Sequence, residues 1–178
     1  MIQVWSVENL PVTRWRNGGG ETREIIATPG PEGSDFLWRA SIATLDKDGP
    51  FSHFSGIDRV ITLLEGTGVT LTVDGKDIPL ALHTPLAFSG DSTCTARITG
   101  QSQDFNIMTL RGACNAHVEV VNSAQQSHSG VCLVLSGEWQ LNGSELVAGM
   151  GAWWHNEHST IRPVSAGGKL LFCRIEEG

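Results

Sequence analysis

Tyrosine is absent from this 178-residue chain, and basic residues are scarce, with 12 lysines and arginines against 19 aspartates and glutamates. The formal net charge is −7, and no run of Lys or Arg interrupts the acidic balance. A domain that grips nucleic acid carries a basic face to neutralise phosphates, so nucleic acid is not an expected partner. No apolar stretch approaches the roughly 20 residues of a membrane-spanning helix. The segment Met1 to Gly20 shows no charged start followed by an apolar run, so neither a signal peptide nor a membrane is expected. Cysteine is sparse and scattered: Cys94, Cys114, Cys132 and Cys173 form no C-x-x-C pair, which argues against a zinc site built on close cysteines. Four cysteines could form two bridges in a secreted protein. Without a leader, the expectation is four reduced, mostly buried thiols in the cytoplasm.

What the chain does have is glycine, 21 residues of it, set between short apolar runs. Helical periodicity is weak almost everywhere, and strand signals recur with turn residues between them. Trp38 to Leu45 alternates, with Trp38, Ala40, Ile42 and Thr44 on one side, which leaves Arg39 and Ser41 facing the other way, toward solvent or a pocket. Arg59 to Leu64 is β-branched and ends at Glu65-Gly66. Val69 to Val73 meets Asp74-Gly75, and Glu138 to Leu141 meets Asn142-Gly143, both hairpin-turn signals. Pro85 marks a strand edge or a turn in Leu80 to Phe88. Cys94 to Ile98, Asp104 to Leu110, Ala116 to Val121, Gly130 to Leu135, Glu145 to Val147, Ala152 to Trp154, Thr160 to Arg162 and Leu170 to Ile175 complete the strand set. Spacing of this kind points to an all-β sandwich, jelly roll or barrel. A length of 178 residues suits one large domain or two small, tightly packed ones, enough for a core without staples. Arg59 to Leu80 also lines up loosely with Gly130 to Gly149: a strand ending in x-Gly, a short strand, an x-Gly turn, an apolar segment. This implies a tandem of β-units joined near Gly112 to His117.

A strand closing on Leu-Glu-Gly and followed by a turn and a Pro-containing strand is similar to the first half of a cupin motif. Four longer segments sharpen the likeness: Pro11 to Ile25 (PVTRWRNGGGETREI), Trp38 to Gly66, Phe88 to Asp91 (FSGD) and Asp104 to Gly112 (DFNIMTLRG). With Gly168 to Ile175 they resemble the HutD/Ves family over most of the chain. The resemblance implies an RmlC-like, double-stranded β-helix fold in two cupin-like units, residues 1–112 and 113–178, packed as one bicupin. It implies a link to histidine utilisation, where a regulatory role has been proposed, or to stress and cold. Cupins often dimerise through sheet faces or edges, which adds a homodimer to the expectations.

Metal-binding cupins place H-x-H, a carboxylate and a second-motif histidine around one ion. Counting back from Gly66, those positions fall on His53, Ser55 and Arg59, and the last falls near Gly90. One of four ligands survives, and a guanidinium, which cannot deprotonate or ligate a cation, stands at the carboxylate position. The same count from Gly137 reaches Ala124, Gln126 and Gly130. The expectation is therefore no metal and no cofactor. His155 and His158, three apart, have no third ligand nearby and read as a polar loop after Trp153-Trp154.

In the cupin register Arg59 points inward, and a buried guanidinium must be paired. Asp104, which shares a strand face with Asn106 and Met108, is the expected internal partner, and a ligand carboxylate gripped by Arg59 is the other reading. The N-terminal motif holds Arg14, Trp15, Asn17, Gly18, Gly20, Thr22 and Glu24. It reads as a tight loop over Trp15 or, as the resemblance favours, as a lid that brings these residues to a ligand. With Arg39, Arg59, Asp104, Asn106 and Met108 they form the candidate site. The expected ligand is a small, polar, anionic metabolite. No nucleophile elbow is present, and Ser52, His53, Ser55 and Asp58 are too close in sequence to imply a triad. Glu24, Glu65 and Asp104 could serve as acid or base if pocketed with Arg59. Binding is thus favoured over catalysis, with a metal-free isomerase or hydrolase next and a protein-interaction module third.

Overall fold

The computed structural model describes residues 1–178. The chain is all-β, with no α-helix and a single 3-10 turn at Val7–Asn9. In order the strands are β1 (Ile2–Ser6), β2 (Val12–Arg14), β3 (Gly20–Ala27), β4 (Trp38–Leu45), β5 (Gly49–Pro50), β6 (Ile57–Glu65), β7 (Thr70–Val73), β8 (Lys76–Pro79), β9 (Leu86–Ser89) and β10 (Cys94–Arg97). They continue with β11 (Ser102–Leu110), β12 (Cys114–Val121), β13 (Gln125–Ser127), β14 (Gly130–Ser136), β15 (Glu138–Leu141), β16 (Ser144–Val147), β17 (Met150–Trp154), β18 (Ser159–Pro163) and β19 (Lys169–Glu177). The ladders that join these strands are antiparallel.

Two compact units result. One runs from Pro11 to Cys114, and the other combines Met1–Leu10 with Asn115–Gly178. The first ten residues therefore do not belong with the 1–112 unit that the sequence suggests. β1 pairs with β17, Ile2 opposite Trp154 and Ser6 opposite Met150. That is a long-range ladder which no local pattern announces.

The Pro11–Cys114 unit has a six-stranded sheet, β2-β3-β4-β11-β6-β9, and a four-stranded sheet, β5-β10-β7-β8. Leu45, Ile61 and Leu63 from the first sheet and Leu71, Cys94 and Ala96 from the second join Val69 and Leu80 in one buried cluster. The apolar core thus lies between the two sheets, as alternation requires when one face of each strand leaves water. β11 pairs on both flanks, with β4 and β6. Pairing on both flanks satisfies its backbone, and both of its faces are covered as well, since Asp104 through Thr109 are all buried. β9 follows Pro85 and lies on the edge of its sheet, where a missing N–H does no harm.

The other unit has the sheets β1-β17-β14-β19-β12 and β13-β18-β15-β16. Its core also draws on both, with Cys132, Val134, Ala152, Trp154 and Leu170 meeting Trp139, Leu141, Leu146 and Ile161. Trp153 and Trp154, which strand alternation sets on opposite faces of β17, are both buried. The sequence likeness between the units has a structural counterpart. In each, a long strand of the larger sheet (β6, β14) ends near a Gly and leads into a hairpin of the smaller one (β7–β8, β15–β16). Both hairpins turn on two residues of positive φ, Asp74-Gly75 and Asn142-Gly143, as type I′ turns require.

A cationic cavity in the first unit

The inner face of the six-stranded sheet is not filled from end to end. A cavity of about 520 Å³ opens at one end, lined from four directions. β4 contributes Arg39, Ser41 and Ala43; β11 contributes Asp104, Asn106 and Met108; β6 contributes Arg59; and the β2–β3 hairpin with its flanks contributes Thr13 to Asn17 and Thr22. β5 and the segment after it close it with Pro50, Phe51, Ser52 and Phe54. Register explains the convergence. Met108 lies opposite both Arg39 and Arg59, Asn106 opposite Ser41 and Ile61, and Asp104 opposite Ala43 and Leu63. Side chains two apart on neighbouring strands therefore point to one side.

Arg59 is the buried charge of this wall, with only 7% of its surface exposed. Its Nη1 donates to the Ser52 carbonyl at 3.4 Å, its Nε finds no partner, and no carboxylate lies within 4.0 Å. The expected Arg59–Asp104 ion pair is therefore not formed. Three rings surround the guanidinium instead, with centroids at 5.4 Å (Phe51), 5.3 Å (Phe54) and 4.9 Å (Phe88). Ring quadrupoles stabilise a cation without neutralising it. Loss of water lowers the Arg59 pKa from its ordinary value, Cys94 and Asp104 oppose that shift, and Arg39 adds to it. The group stays charged, so its field is directed into the cavity.

Asp104 is 1% exposed and is the one carboxylate among the lining residues. Asn106 Nδ2 donates to its Oδ1 at 2.5 Å, while Oδ2 has no partner. Burial pushes the carboxyl up to about 7, against the weaker pull of Asn106 and Arg59. The sequence places Asp104 on the correct face but misassigns its partner, because the register sets it four residues along β11 from the pair Met108–Arg59.

The N-terminal motif is a β-hairpin. Arg14 pairs with Glu21, Trp15 N–H donates to the Gly20 carbonyl at 2.9 Å, and Gly18 N–H donates to the Trp15 carbonyl at 3.0 Å. Trp15 Nε1 donates to Thr22 Oγ1 at 2.8 Å, which fixes both over the cavity. Asn17 Oδ1 accepts from Gly19 N–H at 2.7 Å. Of the motif's candidates, Arg14, Trp15, Asn17 and Thr22 line the cavity; Gly18, Gly20 and Glu24 do not. Gly18 has φ +72° in the turn. Gly20 is buried where a Cβ would stand 2.1 Å from the Thr44 carbonyl oxygen and 3.2 Å from the Trp15 ring. Both glycines shape the hairpin. Glu24 lies outside the cavity lining and accepts from Arg39 Nε at 2.9 Å. Sequence reasoning missed Thr13, Arg16, Ala43, Pro50, Phe51, Ser52 and Phe54 as lining residues; no short-range pattern marks them.

The lining does not suit a divalent cation. It offers one carboxylate, an amide, a thioether and hydroxyls beside four arginines, and His53 at the expected ligand position is exposed. His155 and His158 accept or donate to different partners, Glu177 at 2.9 Å and Gln126 at 3.1 Å. Asp58 is occupied by Arg111 Nε at 2.9 Å, and the same guanidinium reaches Asp91 at 3.0 Å and Ser89 Oγ at 2.8 Å. This clasp ties together the starts or ends of β6, β9 and β11, so the FSGD and LRG segments serve the frame of the cavity rather than its lining. Arg111 holds the Asp91 carboxyl below its usual range.

Comparison with known proteins agrees with this frame. The family model described as HutD matches residues 7–172. Protein Ves of Citrobacter koseri is 45% identical over 98% of this chain and 94% of its own length. Protein Ves of Cronobacter sakazakii is 42% identical, covering 98% of each. Among solved structures, HutD from Pseudomonas fluorescens SBW25 superposes with a TM-score of 0.88 at 29% identity and full coverage of both chains. A cupin 2 conserved barrel domain protein from Leptotrichia buccalis matches at a TM-score of 0.67 and 9% identity over 98% of this chain and 96% of its own, a likeness of fold alone. On a sequence match that runs nearly end to end, the chain belongs to the HutD family.

Proposed function

We propose that this protein binds a small carboxylated metabolite in the cavity of the Pro11–Cys114 unit, without a metal ion, and that each unit is a double-stranded β-helix of cupin type. The observation that carries the reading is Arg59: a buried guanidinium with an unpartnered Nε, ringed by phenylalanines and lacking any carboxylate within reach. A desolvated cation of this kind is completed by an anion that arrives from outside, and a carboxylate can take two of its N–H donors at once. Arg14 and Arg16 add positive charge around the same space, and Arg39 lines it while paired with Glu24. Asn17, Thr22, Ser41 and Asn106 supply orienting hydrogen bonds.

The family suggests the setting: a regulatory protein of histidine utilisation or of stress response, acting on a breakdown intermediate such as urocanate or formylglutamate. Buried cysteines, none in a disulfide, support a cytoplasmic location. One observation favours a second reading, a metal-independent isomerase or hydrolase acting on a similar acid. Asp104 carries a carboxyl held near 7 in the same cavity, the range suited to proton transfer. An open cavity does not favour a protein-interaction module with no small ligand.

The test is a thermal-shift screen against urocanate, formylglutamate, histidine and glutamate, with Arg59→Ala beside the wild type. A ligand at a hundred times its Kd stabilises the fold by about 2.7 kcal/mol. A shift present in the wild type and lost in folded Arg59→Ala supports the reading. Flat melting curves with every acid count against it, and turnover of the hit by purified protein moves the second reading to the front.

A further inference from the structure

We propose that the cavity takes up a carboxylate together with a proton, Asp104 holding that proton on Oδ2 and donating it to one carboxylate oxygen while the Arg59 guanidinium takes the other. This rests on the carboxylate-binding reading above and names the state in which that site binds.

The argument begins from two orphaned atoms in one wall. Arg59 Nε and Asp104 Oδ2 are both buried, both without a hydrogen-bond partner, and both belong to residues lining the same cavity. They do not satisfy each other, since no carboxylate lies within 4.0 Å of the guanidinium. A carboxylate oxygen pair is a natural bridge between a cation and an acid that stand apart. Asn106 already occupies Oδ1 of Asp104 and leaves Oδ2 as the carboxyl oxygen without a partner.

The charges around Asp104 can be named element by element. β6 brings Arg59, β4 brings Arg39, which Glu24 of β3 pairs at 2.9 Å from outside the lining, the β2–β3 hairpin brings Arg14 and Arg16, and β10 brings the buried Cys94 thiol near Arg59. β3 brings only the neutral Thr22 to the cavity, and β11 carries no other charge there. No second carboxylate lines the site, so the anion that joins Asp104 is the ligand's. Two carboxylates meeting at hydrogen-bond distance cannot both stay ionised and must share a proton. Burial already pushes the Asp104 carboxyl up to about 7, so near neutral pH a proton is taken up from solvent at little cost. The step balances simply: one H⁺ leaves the buffer acid and forms an O–H bond at Oδ2, that O–H donates to the ligand, the buffer base remains in solution, and no bond within the ligand breaks.

The experiment uses acetate as the probe. Calorimetric titration at pH 8 in phosphate and in Tris, whose ionisation heats differ, counts protons taken up. The wild type should take up about one proton per acetate, and its Kd should rise roughly tenfold per pH unit above 7. Asp104→Asn keeps a donor in place through Nδ2, so it should bind acetate with neither proton uptake nor pH slope. Should that variant fail to fold, ¹³Cγ-aspartate spectra of the wild type give the same answer: with saturating acetate at pH 8, the Asp104 signal stays at its protonated position. Acetate binding without proton uptake, or affinity that increases with pH, overturns the proposal and leaves carboxylate binding intact. No acetate binding to either protein between pH 6 and 9 overturns both.

Discussion

Arg59 and Asp104 are both left without their best partner, and folding is the poorer for it. A buried cation without a counter-ion is unfavourable, and replacing such a group with an apolar one of similar reach is often neutral or stabilising. Arg59→Met should therefore raise stability by about 1 to 2 kcal/mol in urea unfolding, while removing the thermal shift caused by carboxylates. A loss of stability would mean that the phenylalanine rings satisfy the guanidinium better than argued. Asp104 gives a pH signature. Its carboxyl titrates at about 7 in the fold and near 3.8 when unfolded. The native state thus holds a proton that the unfolded chain releases between those values. The resulting penalty is absent below the lower value, grows as pH rises, and is complete above the upper one. Comparing the two proteins by urea unfolding, Asp104→Asn should gain on the wild type by about 2 to 3 kcal/mol between pH 5 and pH 8. A constant difference across that range would show an ordinary pKa. At this scale the sequence was readable as far as face: residues 104, 106 and 108 on one strand and 39 and 41 on another do share a wall. The surroundings of Arg59 were not readable, because its three rings come from two separate segments, the loop after β5 and strand β9.

Among the elements, the β2–β3 hairpin matters most for the site, since it carries two of the cavity's arginines and Trp15. Gly20 lets β3 run against β4 at Leu45. Adding a methyl group there puts carbon 2.1 Å from a backbone oxygen, which cannot move without shifting the strand. Gly20→Ala should cost about 2 kcal/mol or more and weaken ligand binding with it. Gly18→Ala, strained only by its positive φ, should cost about 1 kcal/mol and leave affinity nearly unchanged. Melting and titration of the two variants check this ordering. Element by element, the sequence was most informative where a turn has its own chemistry. Asp74-Gly75 and Asn142-Gly143 marked β7–β8 and β15–β16 correctly. The short or peripheral strands β1, β2, β5 and β13 carry no such mark. They exist because a neighbouring ladder offers them a partner, and that information is not local.

At the level of the whole chain, the likeness between residues 59–80 and 130–149 is matched by equivalent strand-then-hairpin connections in the two units. What the likeness could not reveal is that Met1–Leu10 joins the unit formed by Asn115–Gly178. All four cysteines are buried and none is in a disulfide, and burial pushes the Cys132 thiol up to about 12. A thiol reagent should therefore be inert toward the native protein and titrate four groups after unfolding; fewer than four would reveal a bridge. The central claim is that a carboxylate seats on Arg59 in this cavity. It is tested most directly by calorimetric titration of the strongest acid from the thermal screen into the wild type and into Arg59→Met. The account predicts a loss of affinity of at least about 30-fold, the 2 kcal/mol or more that removal of one member of a buried charged pair costs. Equal affinity in a folded Arg59→Met protein would contradict it and place the ligand elsewhere.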